Sequence, residues 1–152
     1  MIKKFCLLAT LLVILIFPAV TKAAANWIWV YSDDYVSLWI DNNSISRDSN
    51  GFFAYLKTTY SDAGRNRLIE SRHSADLSVN GFHNLSQDKS FCYFKNSGNI
   101  KYFSILESVY YDKNGTVLDS YSTNNLDWHR IVSDTYIETM YDATYARVRG
   151  KY

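Results

Sequence analysis

Proline is absent from the chain after Pro18, and aromatic residues recur throughout that proline-free stretch. The sequence contains 4 Trp, 13 Tyr and 8 Phe, of which only Phe5 and Phe17 precede Pro18. Aromatic and β-branched side chains suit a pleated, half-buried surface, whereas proline interrupts the hydrogen bonding of a sheet. Short clusters of Asn, Asp, Ser and Gly separate the aromatic segments. The pattern therefore predicts long antiparallel strands joined by tight turns.

Residues 1–25 carry the three parts of a secretory signal peptide. A pair of lysines opens the chain, residues 5–17 are apolar but for one threonine, and Ala23 and Ala25 supply the small residues before a cleavage point. The apolar run is shorter than the roughly 20 residues that a membrane span needs. We predict a cleavable signal peptide, with cleavage after Ala25 or, as the competing choice, after Ala23. An uncleaved N-terminal anchor is the alternative interpretation.

The predicted signal places the rest of the chain outside the cytoplasm, in the periplasm, on the cell surface or secreted. A lipoprotein would carry a cysteine at the cleavage point, and Cys6 lies too early in the chain for that role. No second long apolar run follows the signal. We therefore expect no lipid anchor and no stable membrane insertion after cleavage.

Residues 26–152 have the size of one domain. The whole chain has 16 basic and 15 acidic residues, and three of its lysines lie in the predicted signal, so the remaining domain is slightly acidic. This balance argues against a nucleic-acid partner and against a surface held to anionic lipid by basic residues. Cys92 is the only cysteine of the domain, and its neighbours Phe91, Tyr93 and Phe94 predict that it is buried and inert rather than paired with another chain.

Six segments of the domain have the composition and boundaries of strands. The clearest alternation places Val36, Leu38 and Ile40 on one face of the second segment, and these residues form its predicted core face. Asn-Gly pairs precede the third and the last segment, and both residues accept the positive φ that a tight turn requires. The six predicted strands are Trp27 to Tyr31, Tyr35 to Asp41, Phe52 to Tyr60, Ser90 to Lys95, Ile100 to Asp112 and Thr116 to Ser122.

The period of the pattern changes near the C-terminus. Thr135 followed by Glu138 is a capping box, which predicts the start of a helix. One face of that helix carries the stripe Ile137, Met140, Tyr141, Thr144, Tyr145 and Val148. We predict a turn at 61–66 and an irregular segment at 78–89, whereas 67–77 fits a helix or a strand. The predicted fold class is α+β: an antiparallel meander of about six strands with one C-terminal amphipathic helix packed on it.

Three sequence elements resemble a known family. They are Ile40-Asp41 followed by Ser44-Ile45, the hairpin from Asp112 to Gly115 after a Tyr-rich strand, and Trp128 ahead of the capped helix. Together they resemble the surface-adhesin protein E family of small exported bacterial proteins, and the similarity covers nearly all of residues 26–152. The resemblance implies about six antiparallel strands with a C-terminal helix, and adhesin-like attachment to host matrix and plasma proteins. The family often has a proline near Ser133, ahead of the helix, and this sequence has none. The resemblance therefore does not determine the exact first residue of the predicted helix.

Candidate residues for chemistry are scattered. His73, His83 and His129 lie in separate segments without the short spacing of a metal site, and no nucleophile motif or phosphate-binding loop is present. We therefore predict no catalytic, cofactor-binding or metal-binding residues. A zinc site assembled from the three histidines, or a Cys92–His pair, is the minor alternative.

Aromatic side chains that point away from the core are the predicted contact residues. By alternation, Tyr35 and Trp39 lie opposite the core face of the second strand, and such side chains supply large contact area with a polar end. Arg72 and His73 belong to a polar run that precedes an irregular segment, where recognition sites are common. We predict these four residues as the partner-binding set.

The combined features favour an exported, non-catalytic module that binds a protein on the cell surface or in the periplasm. Two alternatives stay open. One is a small exported metal-dependent hydrolase, and the other is a structural envelope protein that forms a homodimer through Cys92 or a sheet edge.

Overall fold

A single antiparallel sheet with two helices forms the structure, a computed structural model that describes residues 24–151. Residues 1–23 of the predicted signal peptide lie outside the described residues. The strands are β1 Trp27–Ser32, β2 Val36–Asp41, β3 Ser46–Arg47, β4 Phe52–Tyr60, β5 Leu85–Ser97, β6 Ile100–Asp112, β7 Val117–Ser122 and β8 His129–Arg130. The helices are α1 Asp62–Ser74 and α2 Tyr136–Lys151, with a short 3-10 helix at Phe82–Asn84. No helix within residues 24–151 has the length and apolarity to cross a membrane.

The six long strands lie in the order β1-β2-β4-β5-β6-β7, so neighbours in sequence are neighbours in the sheet. The predicted α+β antiparallel meander with a packed C-terminal helix is therefore confirmed in outline. The predicted count of about six is too low, because β3 pairs with β4 and β8 pairs with β6 to give eight strands. Each of these extra strands has two residues, which is too short for an alternating pattern to mark it.

Helix α1 corrects the predicted turn at 61–66 and resolves the ambiguous segment after it. Ser61 caps the helix by accepting a hydrogen bond from the Gly64 N–H at 3.1 Å. Asp62 lies in the first turn, where a negative charge is favourable, and bonds Arg65 at 2.7 Å. Because α1 buries only Gly64 and Arg72, it has no apolar stripe that periodicity could reveal.

The core lies between the sheet and α2. The predicted core face of β2 is confirmed, since Val36, Leu38 and Ile40 are all buried. From α2, the predicted stripe buries Met140, Tyr141, Thr144 and Val148, whereas Tyr145 is 37% exposed. Cys92, on the central strand β5, is buried, as predicted. These residues pack with Phe52, Ala54, Leu56 and Phe94.

The capping box at the start of α2 forms largely as predicted. Thr135 accepts a long hydrogen bond from the Glu138 N–H at 3.4 Å, and the Glu138 carboxylate accepts from the Asp134 N–H at 3.0 Å. Lys101 of β6 then joins this helix to the sheet through Glu138 at 3.0 Å and Asp142 at 2.8 Å.

Strand register separates the sheet into two faces. Leu38, Thr58, Asp88 and Tyr110 are successive cross-strand partners on one face, and side chains opposite each other across strands share a face. Both helices pack on this face: α2 through ring contacts of Tyr141 and α1 through Arg72 over Tyr110. We call it the helix side. The opposite face, which contains Trp39, Lys57 and Lys89, carries no helix formed by residues 24–151, and we call it the open face.

Candidate binding site

The four predicted contact residues do not form one site. Trp39 lies on the open face, half-buried, as the alternation predicted. Tyr35 immediately precedes β2 and packs against the core cluster on the helix side, where the Arg67 guanidinium lies 3.7 Å above its ring. The strand alternation fails at Tyr35 because the residue belongs to the turn.

Arg72, which was predicted as a contact residue in a polar run, is buried against the sheet. Its side chain is buried: Nε donates to the Ser78 carbonyl at 2.8 Å, and the guanidinium forms an ion pair with Asp119. The same group lies 4.4 Å above the Phe82 ring. His73, the next residue on α1, is exposed. Arg72 therefore holds α1 against the sheet, and also lines a cavity of about 440 Å³ over β6 and β7.

All four tryptophans of the chain lie on the open face. Trp27 and Trp29 come from β1, and Trp29 is the cross-strand partner of Trp39. Trp128 lies at the far end of the face, with its ring 5.0 Å from that of Tyr93. Trp29 is 55% exposed. The largest amphipathic side chains of the chain thus lie where neither α1 nor α2 covers them.

Two lysines lie directly opposite each other among these rings. Lys57 on β4 pairs with Lys89 on β5. The Lys57 Nζ atom is 4.7 Å from the Trp27 ring and 4.6 Å from the Trp39 ring, and Lys89 Nζ is 5.2 Å from the Tyr111 ring. Rings in these positions stabilise a cation.

The charges of these lysines are not neutralised by contact. Within residues 24–151, no carboxylate lies within 4 Å of the Lys57 or Lys89 ammonium group. Burial, and then repulsion from Lys89, lower the pKa of Lys57. Like charges directly opposite on paired strands destabilise a sheet. An anionic group placed between the two lysines would therefore relieve their repulsion and stabilise the folded sheet.

A band of stacked rings continues the open face toward Trp128. The ring centroid of Phe53 lies 4.0 Å from that of Tyr93 and 5.7 Å from that of Phe91. The ring centroids of Phe91 and Tyr55 are 4.7 Å apart. The Tyr93 hydroxyl donates to Asp48 at 3.0 Å, and burial together with this carboxylate raises the pKa of Tyr93 to about 12. Because these contacts fix the rings, the band is a preformed surface.

Two depressions indent the open face and meet at Glu107. One of about 310 Å³ lies beside Trp27 and Lys89, and the other of about 390 Å³ lies beside Phe53 and Leu126. Glu107 accepts a hydrogen bond from the Tyr55 hydroxyl at 3.1 Å. The face therefore offers two adjacent recesses with aromatic walls and a mixed set of charges.

Metal-ligating residues do not converge in the part of the chain that the structure describes. Residues 24–151 contain no group of three or more His, Cys, Asp and Glu side chains placed to hold a metal ion. His73 lies on α1, His83 in the 3-10 helix, and His129 on β8, 3.2 Å from Asp127. Burial raises the pKa of the Cys92 thiol, which opposes its use as a nucleophile.

Sequence reasoning named Trp39 but missed Trp27, Lys57 and Lys89. Alternation within β4 does place Lys57 on the face opposite Leu56, whereas Lys89 lies in the segment that was predicted to be irregular and belongs to β5. The register between β4 and β5, which brings the two lysines together, depends on long-range pairing that one strand's pattern does not determine.

Comparison with known proteins gave no match for this chain among family models, curated proteins or solved structures.

Proposed function

We propose that this protein is an exported, non-catalytic module that binds a protein partner through its open face. The observation that carries the proposal is the division of the sheet: both helices pack on one side, and all four tryptophans with Lys57 and Lys89 lie on the other. Trp, Tyr and Arg dominate the energetics of protein interfaces because they bury large areas in well-packed contacts. A contiguous set of partly exposed aromatic side chains, with Trp29 55% exposed, is typical of an interaction site.

The charges of the open face specify the partner's chemistry. Lys57 and Lys89 favour a partner that places a carboxylate between them. Asp41 and Glu107 lie on the same face, but backbone N–H groups of Asn26 and Asn43 bond Asp41 at 2.8 and 3.0 Å, and a tyrosine bonds Glu107. Asp41 and Glu107 already accept hydrogen bonds from these groups. The carboxylate that binds between Lys57 and Lys89 is therefore supplied by an acidic side chain of the partner.

The setting proposed for this contact is the periplasm, the cell surface or the medium. The signal-like residues 1–25 and the resemblance to the surface-adhesin protein E family both support it, and adhesin-like attachment to host or envelope proteins follows from them. N-terminal sequencing of the exported chain tests this part, with Asn26 expected as the first residue.

Binding is tested with labelled residues 26–152 against immobilised matrix, plasma and envelope proteins. We expect saturable binding that unlabelled protein competes away. The double variant Trp29→Ala/Lys57→Met should weaken it by about tenfold or more, as the loss of an interface hot spot does. The matched control is Tyr121→Ala/Val132→Ala, which removes two side chains that are 52% and 63% exposed outside the open-face site.

Two results would overturn the proposal. One is the absence of saturable binding to every class of protein tested. The other is equal loss of binding in the open-face variant and in the control, which would show that the open face has no special role. Light scattering on the same samples identifies the case in which the partner is a second copy of this chain.

A further inference from the structure

A cleft separates α1 from the start of α2 on the helix side of the sheet. Its volume is about 310 Å³, at the lower end of the range of roughly 300–1,000 Å³ for small-molecule sites. Val36, Leu38 and Thr58 form its floor, and Leu68 of α1 forms one wall. The remaining walls are the rings of Tyr35, Tyr60 and Tyr136.

The cleft follows from the way α1 meets the sheet. Gly64 brings the helix so close that a Cβ atom at this position would lie 2.0 Å from the Tyr35 carbonyl oxygen. The helix buries no large apolar side chain, because its buried residues are Gly64 and Arg72. No side chain of α1 therefore fills the space between the two helices, and Val36 and Leu38 in its floor are 7% and 2% exposed.

The hydroxyl groups of two wall tyrosines are already engaged. Tyr60 donates to Asp88 at 2.6 Å, and Tyr136 donates to Asp33 at 2.6 Å. A tyrosine whose hydroxyl is satisfied elsewhere presents its ring as an apolar surface. The walls and floor of the cleft therefore suit an apolar molecule.

Arg67 is the charged residue in the lining of this cleft. Its guanidinium is stacked over the Tyr35 ring, and within residues 24–151 no carboxylate lies within 4 Å of it. Asp33 lies near the cleft, but its oxygens accept from Tyr136, from the Tyr35 N–H and from the Val36 N–H. Stacking orients the planar guanidinium and leaves its N–H edge free to bind a carboxylate in a fork.

We propose that this cleft binds a small apolar carboxylic acid, with the hydrocarbon body against Leu68 and the rings of Tyr35 and Tyr136, and the carboxylate on Arg67. The single cation matches a single negative charge at one end of the ligand. A highly polar or multiply charged ligand would lose its hydration against the apolar floor without gaining partners. This site is separate from the open face and stands independently of the function proposed for that face.

Calorimetric titration of residues 26–152 with octanoate and with octan-1-ol tests the proposal. We expect one octanoate per chain, and binding of the neutral alcohol that is weaker by about tenfold, since a charge-assisted hydrogen bond contributes on that order. Arg67→Gln should weaken octanoate binding by about tenfold and leave the alcohol unaffected. Arg149→Gln removes an exposed arginine of α2 outside the cleft and is the matched control.

Amide chemical shifts locate the bound acid independently of affinity. Octanoate should shift the amide signals of Leu38, Gly64 and Leu68 and leave that of Ile105 unchanged. The proposal is overturned by the absence of octanoate binding, by equal affinities for acid and alcohol, by equal effects of Arg67→Gln and Arg149→Gln, or by shifts that lie away from the cleft.

Discussion

Asp88 carries a carboxyl group buried on the helix side of β5, with no cationic side chain within 4 Å among the described residues. The Tyr60 hydroxyl donates to it at 2.6 Å and the Ser90 hydroxyl at 3.2 Å. Burial raises the pKa of Asp88, and these two hydrogen bonds oppose the rise only in part. At the scale of single residues, folding therefore disfavours the ionised form of the Asp88 carboxyl group.

Replacing Asp88 with Asn tests that cost. Because the pKa is higher in the folded state, the folded protein binds more protons than the unfolded chain above the ordinary value of 3.8. The contribution of Asp88 to stability therefore falls as pH rises from that value through the raised pKa, and stays low above it. Urea unfolding at pH 3 to 8 should show Asp88→Asn gaining stability relative to wild type as pH increases. A constant difference across this range would contradict the prediction.

The partly buried charge of Lys57 also lowers the stability of the folded protein, and the substitution Lys57→Met tests this. The substitution removes a partly buried ammonium group and its repulsion with Lys89, so we expect the free energy of unfolding to stay within about 0.5 kcal/mol of wild type or to rise. Lys101→Met is the contrasting variant, because it breaks the ion pairs with Glu138 and Asp142, and should lose up to about 1 kcal/mol. If Lys57→Met were the more damaging of the two, the lysine would have a structural role.

At the scale of elements, α1 is the helix that local patterns did not identify. A core-facing stripe marks α2, whereas α1 contacts the sheet through a glycine and a buried arginine. Its position depends on Ser61, whose hydroxyl also donates to the Asp34 carbonyl at 2.7 Å, and on the Arg72–Asp119 ion pair. These partners are distant in sequence, so tertiary contacts rather than periodicity hold α1 in place.

The substitution Gly64→Ala tests how closely α1 must approach the sheet. Alanine is a better helix former than glycine by about 1 kcal/mol, but here its Cβ would lie 2.0 Å from the Tyr35 carbonyl oxygen. We expect a net loss of roughly 1–3 kcal/mol, as for overpacking, measured by urea unfolding. Gly150→Ala in α2 meets nothing within 4 Å and should be neutral or slightly stabilising. Equal effects at both positions would show that α1 can move away without cost.

At the scale of the whole molecule, a single sheet separates two different surfaces. The helix side contains the core, the buried Arg72 and Asp88, and the cleft between α1 and α2. The open face contains the tryptophans and the lysine pair. Cys92 lies between neighbouring strands at the centre of this sheet and is 1% exposed.

Reactivity of Cys92 therefore reports on loss of the packing between the sheet and α2. In native buffer we expect an aromatic disulfide reagent to label the thiol more slowly than in denaturant, by a factor on the order of 10³ or more. The Cys92 side chain lies in the core between the sheet and α2, and exposing it requires α2 to separate from the sheet. Rapid labelling, or a disulfide-linked dimer on non-reducing electrophoresis, would instead favour the homodimer interpretation.

The sequence by itself determined the six long strands in outline, the core face of β2 and the capped C-terminal helix, because alternation and capping are local consequences of backbone geometry. Tertiary structure alone decided the register that pairs Lys57 with Lys89, the existence of α1 and the burial of Arg72. These features depend on contacts between segments far apart in the chain, where long-range pairing and burial outweigh local preference. For the same reason the predicted contact residues divide between two faces: Trp39 follows the alternation of its strand, whereas Tyr35 and Arg72 follow the packing of α1.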